Sequence, residues 1–382
     1  MSAKRTILLV PGFVADTYSE IEASFVELCS DPTSAIQFLW VVPTISHRYT
    51  RCLNPNSQAM LREPLYVSHL RKSGIPFIVA NISKFNLFAN FATFRRIFRE
   101  YKVDAVYTHF GFERFWAVLF GRAFGKVTIW NEHWHSMGTR FSLAKWVFYR
   151  LFVDYFISVS NFITRSLPKQ SKIFTVPNSI RFETSRVVEK QQLCLKERLG
   201  IPLRRTIVSM VAAFTPQKRH ALAITVCKKV LSRRKDIVFV FLGEGDERES
   251  VVRQIGELDA HDCFVLPGHV NNVDEYYSVS DICMFTGYND AFGYAILEGM
   301  KHRLPTVAFA SGGPAEIIRD QETGFLIDEA DTELFATRLL ELVEDRTKRS
   351  LLGENAFKVV EREYGREVWL KRMRAVLKEV VM

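Results

Sequence analysis

No uninterrupted apolar run in this 382-residue sequence reaches the eighteen or so residues that cross a bilayer. The nearest, Leu143 to Ser160, is broken by Lys145, Arg150 and Asp154. Met1-Ser-Ala-Lys-Arg5 leads into only a short apolar strand and has no secretory cleavage signature, so a cytoplasmic protein is expected. The six cysteines (Cys29, Cys52, Cys194, Cys227, Cys263 and Cys283) show no CxxC spacing. That argues against a disulfide framework or a zinc site and for reduced core residues. Internal repeats, low-complexity segments and nucleic-acid-binding motifs are also lacking. Acid is scarce in one half only. Residues 1–190 hold 24 Lys and Arg against 13 Asp and Glu, a net of +11, whereas residues 191–382 hold 27 against 29, a net of −2. Packing does not require such an asymmetry, and it points to an acidic acceptor or an anionic membrane surface meeting the first half. Without a motif to support it, nucleic acid is not expected as a partner.

The length suits two ordinary domains, and an apolar share of 48% is that of a globular protein. Strand-like runs alternate with helix-like ones twice over, the sign of parallel sheets. The first series holds Thr6 to Pro11 with Gly12 behind it, then Ile36 to Pro43, Phe77 to Ile82, Asp104 to His109 and Val127 to His135. Residues 183–205 are polar and charged and read as a linker. The second series begins at Thr206 to Phe214, followed by a turn at Pro216-Gln-Lys218-Arg219-His220, and continues with Ile237 to Leu242 and Cys263 to Leu266. Between residues 85 and 101 the aromatics at 85, 88, 91, 94 and 98 fall at helical spacing, flanked by Arg95, Arg96 and Arg99. That stripe reads first as a helix packed on a sheet, and second as a membrane-interface surface.

The most informative stretch runs from Gly287 to Ile327. At its centre Asp290-Ala-Phe-Gly-Tyr-Ala-Ile-Leu-Glu298 sets two carboxylates either side of seven residues. A loop ending at Phe292-Gly293 passes into a helix with Ile296, Leu297 and Met300 on its apolar face. Gly293 lets backbone or ligand come close, and the first-turn N–H groups favour an anion such as a phosphate. An acceptor at each end of an anion-binding turn suits a nucleotide sugar. Downstream come the strand Leu304 to Phe309, the pair Gly312-Gly313, Glu316 at a helix start, and the strand Thr323 to Ile327.

These five features in this order resemble the donor-binding half of the family 4 glycosyltransferases. The sequence departs from that family at Asp290, where a glutamate is usual, at Gly299 and Lys301, where alanines are usual, and at Ala213, where an arginine is usual. The likeness extends back to about residue 103, through Asp154 to Ser160 and Val176-Pro-Asn178. It implies an α/β protein of GT-B fold: two Rossmann-like doubly wound domains facing across a cleft. Residues 1–184 would bind the acceptor and 185–363 the nucleotide sugar, with a helix at 364–382 packing back toward the first domain.

By the same resemblance, Glu298 binds ribose hydroxyls and Asp290 the hydroxyls of the donor sugar. Lys218, helped by Arg219, holds the diphosphate together with Gly293 and the helix behind it, and Phe292, Ile296 and Leu297 are counted among the donor contacts. Gly268-His269-Val270 holds the base through backbone groups. Gly12, standing alone where the family often has a Gly-Gly pair facing the transferred sugar, reads equally as that contact or as a plain strand-to-helix turn. His109 and His133 stand at two strand ends where a doubly wound sheet forms its crevice, with His133 orienting the sugar and His135 as the fallback. His-x-His also reads as half a metal site, but spacing supplies no third ligand, and neither metal nor cofactor is expected. The activity implied is a retaining transfer from a nucleotide-diphosphate sugar to a glycan or lipid-linked hydroxyl acceptor. The rival readings are a GT-B epimerase and a non-catalytic sugar-nucleotide-binding scaffold.

Overall fold

In a computed structural model, residues 4–12, 19–43, 64–133, 142–169, 171–182 and 189–382 are described. His135, Cys52 and the polar loop with Arg48, Arg51, Asn54 and Asn56 lie outside them. The chain divides into two compact units, Met1–Ser179 with Arg366–Met382, and Ile180–Gly365.

The strands of the first unit are β1 (Arg5–Val10), β2 (Ile36–Pro43), β3 (Phe77–Ala80), β4 (Ala105–Thr108), β5 (Val127–Glu132), β6 (Tyr155–Ser158) and β7 (Lys172–Thr175). Its helices are α1 (Glu20–Cys29), α2 (Leu65–Lys72), α3 (Leu87–Glu100), α4 (Glu113–Ala123), α5 (Ser142–Phe152) and α6 (Asn161–Thr164). Among the described residues the sheet is parallel, with strand order β3-β2-β1-β4-β5-β6-β7. Helices cover both faces, so β1 is apolar from Ile7 to Val10 instead of alternating. Ile7 and Leu9 enter one core, and Leu8 and Val10 the opposite one. The first core also takes in Phe25 of α1 and Tyr66 of α2. The second takes in Phe94 and Ile97 of α3 with Ala117 and Phe120 of α4, and a satellite beside it joins Trp130 to Tyr149 of α5.

The second unit runs α7 (Glu189–Arg198), β8 (Thr206–Val211), α8 (His220–Leu231), β9 (Ile237–Leu242), α9 (Arg248–Gly256), β10 (Phe264–Gly268), α10 (Val273–Val279) and β11 (Ile282–Phe285). It continues through α11 (Tyr294–Lys301), β12 (Thr306–Phe309), α12 (Pro314–Ile317), β13 (Gly324–Ile327), α13 (Thr332–Glu344) and α14 (Arg346–Tyr364). Its parallel strand order is β10-β9-β8-β11-β12-β13. In β9, Ile237, Phe239 and Phe241 face one core while Val238, Val240 and Leu242 face the other. The last helix, α15 (Arg366–Val381), belongs to the first unit. Its Trp369 ring meets Phe25 edge-on at 5.3 Å, and the Arg366 guanidinium donates to Glu20 and, at 3.2 Å, to Ser179.

Both sheets reverse strand order at a central pair, β1/β4 in one and β8/β11 in the other. In open α/β sheets, ligands bind outside the carboxyl ends of strands at such a switch point. The Phe/Arg stripe does not pack as one face. Phe94 is fully buried, but Phe85 and Phe88 are 76% and 83% exposed. The five described cysteines are free thiols, and burial raises the pKa of Cys29, Cys227, Cys263 and Cys283, the last to about 12.

Candidate active site

At the switch point of the second unit, the loops after β8 and β11 meet. The first contains one tight turn, Pro216–Lys218, and then Arg219 in the left-handed region at φ 54°. The hydroxyl of Thr286, just past β11, donates to the carbonyls of Lys218 (2.9 Å) and Arg219 (3.3 Å), which locks the two loops together. Lys218 Nζ donates to Asp290 Oδ2 and lies 5.2 Å from the centre of the Phe285 ring. Arg219 turns elsewhere, donating to Glu329 at 2.7 Å and stacking on Tyr288 at 4.2 Å. The sequence reading brought Arg219 in as a second diphosphate ligand, whereas here its guanidinium is already held by a carboxylate and a ring.

Asp290 is fixed from several sides. Its Oδ1 accepts from the Phe292 N–H at 3.2 Å, and its main-chain carbonyl accepts from Gly313 N–H at 2.7 Å. Here the Gly-Gly pair has its physical reason. A Cβ on Gly312 would sit 2.4 Å from the Asp290 carbonyl oxygen, and one on Gly313 would sit 2.6 Å from Phe292 Cα. Only glycine lets the loop after β12 press backbone to backbone against the Asp290 loop.

Gly293, at φ 107°, starts α11. Glu298 lies on α11 five residues beyond it, about 7.5 Å along the axis at 1.5 Å per residue. Phe292, Ile296 and Leu297 were grouped with the donor contacts, but their side chains are buried. The Phe292 ring packs on Tyr294 at 5.3 Å, and the Ile296 and Leu297 N–H groups both donate to the Gly293 carbonyl. These three residues build the helix start, and their side chains serve packing. Gly268 closes β10, His269 is exposed, and Val270 packs against the second core of this unit.

One neighbour escaped the sequence reading. Tyr277 of α10 is buried, and its hydroxyl donates to the Ala295 carbonyl at 2.9 Å and to Glu298 Oε2 at 3.4 Å. Its ring stacks on His302 at 5.6 Å. His302 in turn shares Asp274 with Lys301, at 2.7 and 2.8 Å. The hydrogen bond from His302, together with the Lys301 ammonium, lowers the Asp274 carboxyl to about 2 despite its partial burial. No local spacing announces this link between α10 and α11, because its partners are some twenty residues apart.

At the switch point of the first unit, Gly12 follows β1 at φ 59°, and a Cβ there would stand 2.2 Å from the Phe110 carbonyl oxygen. Close passage of the loop after β4 therefore accounts for this glycine without a ligand. His109 and His133 stack with ring centroids 4.1 Å apart, and Phe110 lies 4.7 Å from His133. Burial lowers both pKa values, His133 to about 3 with Arg114 lowering it further and Glu132 opposing. The rings are therefore neutral at ordinary pH: they can orient a hydroxyl but bring no positive charge.

Beside them Glu132 is fully buried. Its carboxylate accepts from Tyr149 and, at 3.1 Å, from Trp130, with Lys145 at 3.2 Å and Arg114 at 3.6 Å. Burial works to raise its pKa, but the two cations prevail and hold it below the usual value. Among the described residues no group of three or more His, Cys, Asp or Glu is placed to hold a metal ion.

Two family models match the sequence: "Glycosyl transferases group 1" over residues 193–359 and "Glycosyltransferase Family 4" over residues 49–184. Among curated proteins, the chain is 26% identical over 220 residues to the N-acetyl-alpha-D-glucosaminyl L-malate synthase of Bacillus anthracis, covering 57% of each chain. It is 28% identical over 171 residues to a D-inositol 3-phosphate glycosyltransferase of Corynebacterium kroppenstedtii, covering 42% of this chain and 38% of that one. The chain thus spans about half the length of the curated relatives it matches. Among solved structures, Anabaena Alr3699/HepE in complex with UDP superposes with a TM-score of 0.78 at 14% identity, covering 98% of this chain and 100% of that one. That likeness shows the fold, two Rossmann-like domains of GT-B type. With both of its domains matched, the chain belongs to the family 4 glycosyltransferases.

Proposed function

We propose that the protein is a retaining glycosyltransferase that moves a sugar from a nucleotide-diphosphate donor to a hydroxyl acceptor. One observation carries the reading. Lys218 and Asp290 come from the two loops of the β8/β11 switch point and meet there, ahead of the α11 helix that bears Glu298. The lysine offers a cation to the diphosphate, the helix start offers N–H groups, and the two carboxylates offer acceptors for hydroxyls on either side. Anabaena HepE has been solved with UDP, with UDP and glucose, and with UDP-glucose, which supports a nucleotide-sugar ligand.

In this reading the bond from the sugar's anomeric carbon to the diphosphate oxygen breaks as the acceptor oxygen bonds on the same face. The acceptor proton passes to the leaving phosphate, and Lys218 balances its charge. Neutral His133 orients sugar hydroxyls, and the reading includes no metal or cofactor. Relatives such as the lipopolysaccharide core glycosyltransferase LpsE of Rhizobium meliloti support a glycan or lipid-linked acceptor. Thermal shift against a panel of nucleotide sugars, then nucleotide release with candidate acceptors, tests the reading. Binding of a donor without turnover on any acceptor would favour the scaffold reading instead.

A further inference from the structure

The helices α3, α4 and α5 follow β3, β4 and β5 and pack in succession, α3 against α4 and α4 against α5. Their inner sides fill the core, as an amphipathic helix requires. The outer sides of α3 and α5 each carry an apolar row beside their charged residues. On and just before α3, Phe85, Leu87, Phe88 and Phe91 are exposed. On α5 the exposed large apolar residues are Leu143 (73%), Trp146, Val147 and Leu151 (60%), at one-face helical spacing. Isolated exposed apolar residues are ordinary, but two helices flanking α4, each presenting such a row, mark an interaction surface.

The charge around these rows is one-sided. Residues 84–152 hold 11 Lys and Arg against 4 Asp and Glu; Arg114 and Lys145 are paired with the buried Glu132, and Glu113 is buried, which still leaves an excess of cations. On α3 the apolar row passes directly into Arg95, Arg96 and Arg99, which line a surface depression with Ala92 and Glu100. On α5 the Arg150 guanidinium lies over the Trp146 ring at 5.3 Å. A second copy of the chain, docking the same patch symmetrically, would oppose these cations to one another. A bilayer rich in anionic lipid fits both features: aromatic and aliphatic side chains enter the headgroup boundary while guanidiniums meet phosphates.

We infer that the outer face of α3 and α5 docks the first unit on an anionic membrane surface. The docking does not depend on the transferase reading, and a vesicle assay reports on it without any donor. The full chain is floated with vesicles of phosphatidylcholine alone or with about 30% phosphatidylglycerol, at roughly 50 and 500 mM salt, so that screening is varied about threefold in length. Binding is expected only to the anionic vesicles and weakened at least about tenfold by the higher salt. Each cation at such a surface contributes about fivefold, so Arg95→Glu/Arg96→Glu/Arg99→Glu loses about a hundredfold or more. Phe85→Ser/Phe88→Ser, at positions too exposed to affect folding, weakens binding about tenfold at either salt. Unchanged melting and UDP binding would show both variants to be folded. Absence of flotation at low salt overturns the inference. So does flotation that survives the charge reversal, or a dimer in solution that the Phe85→Ser/Phe88→Ser pair dissociates.

Discussion

Replacing Lys218 by methionine keeps most of the side chain's length and apolar stem and deletes its charge. In the structure that charge meets Asp290 in a partly enclosed setting, the two side chains being 21% and 17% exposed. An exposed pair contributes roughly 0.2–1 kcal/mol, and breaking a fully buried one costs about 3–5 kcal/mol. An intermediate loss of about 1–2 kcal/mol is therefore expected for the second unit, a fall of roughly 2–8 °C in its melting midpoint. If Lys218 holds the diphosphate as proposed, the same substitution removes a charge-assisted hydrogen bond worth about 1.5–3 kcal/mol, or about 10- to 150-fold in Kd. The lower end is expected, because in the free protein Lys218 already has a partner that the diphosphate must displace. Asp290→Asn should then act in the opposite sense on UDP itself. It frees Lys218, so UDP binds as well or better, while the affinity difference between UDP and its sugar conjugates shrinks. Calorimetric titration of both variants with UDP and with a UDP-sugar measures all four affinities. A lowered melting point with an unchanged UDP affinity in Lys218→Met would make the pair purely structural and refute the phosphate assignment.

Gly313→Ala places a Cβ 2.6 Å from Phe292 Cα, a backbone clash no rotamer relieves, so a loss of about 1–3 kcal/mol and of donor binding is expected. Thermal melts with and without UDP check it. Glu132→Gln leaves Arg114 and Lys145 facing a neutral amide in the interior, and the first unit should lose about 2–4 kcal/mol by urea denaturation. Stability should also fall on acidification. His133 has a folded pKa of about 3, below its unfolded value, so its contribution is complete above about pH 6.5 and is lost as pH falls toward 3. The slope approaches about 1.4 kcal/mol per pH unit for each such histidine, and His133→Phe should flatten it in urea midpoints measured from pH 7 to 5.

The alternation of strands and helices was legible because parallel strands covered on both faces are continuously apolar, as β9 and Ile7 to Val10 of β1 are. Asp290, Gly293 and Glu298 could be read together because they lie within a single loop and the helix after it. Lys218 needed the family pattern, since nothing in an isolated turn lysine shows that it reaches a carboxylate 72 residues away. The aromatic stripe misled in part: helical spacing assigns Phe85, Phe88 and Phe91 to the face of Phe94, but α3 begins only at Leu87 and meets the core through Asn90, Phe94 and Ile97. Of the two readings of Gly12, contact with the sugar or a plain strand-to-helix turn, the structure supplies a reason for the second in a main-chain carbonyl 98 residues further on.

The sequence by itself determined the family, the class of fold and the order of the elements, because periodicity, turn residues and a contiguous motif are local properties of the chain. Which side chains meet was decided only by the tertiary structure. Topology brings the loops after β8 and β11 together at the reversal of strand order, pairing Lys218 with Asp290. It turns Arg219 toward Glu329 and sets Tyr277 beneath Glu298. It also buries Glu132 between two cations. The reason in each case is that these contacts join elements by strand order, and strand order is fixed by packing across the whole sheet and not by neighbours along the chain.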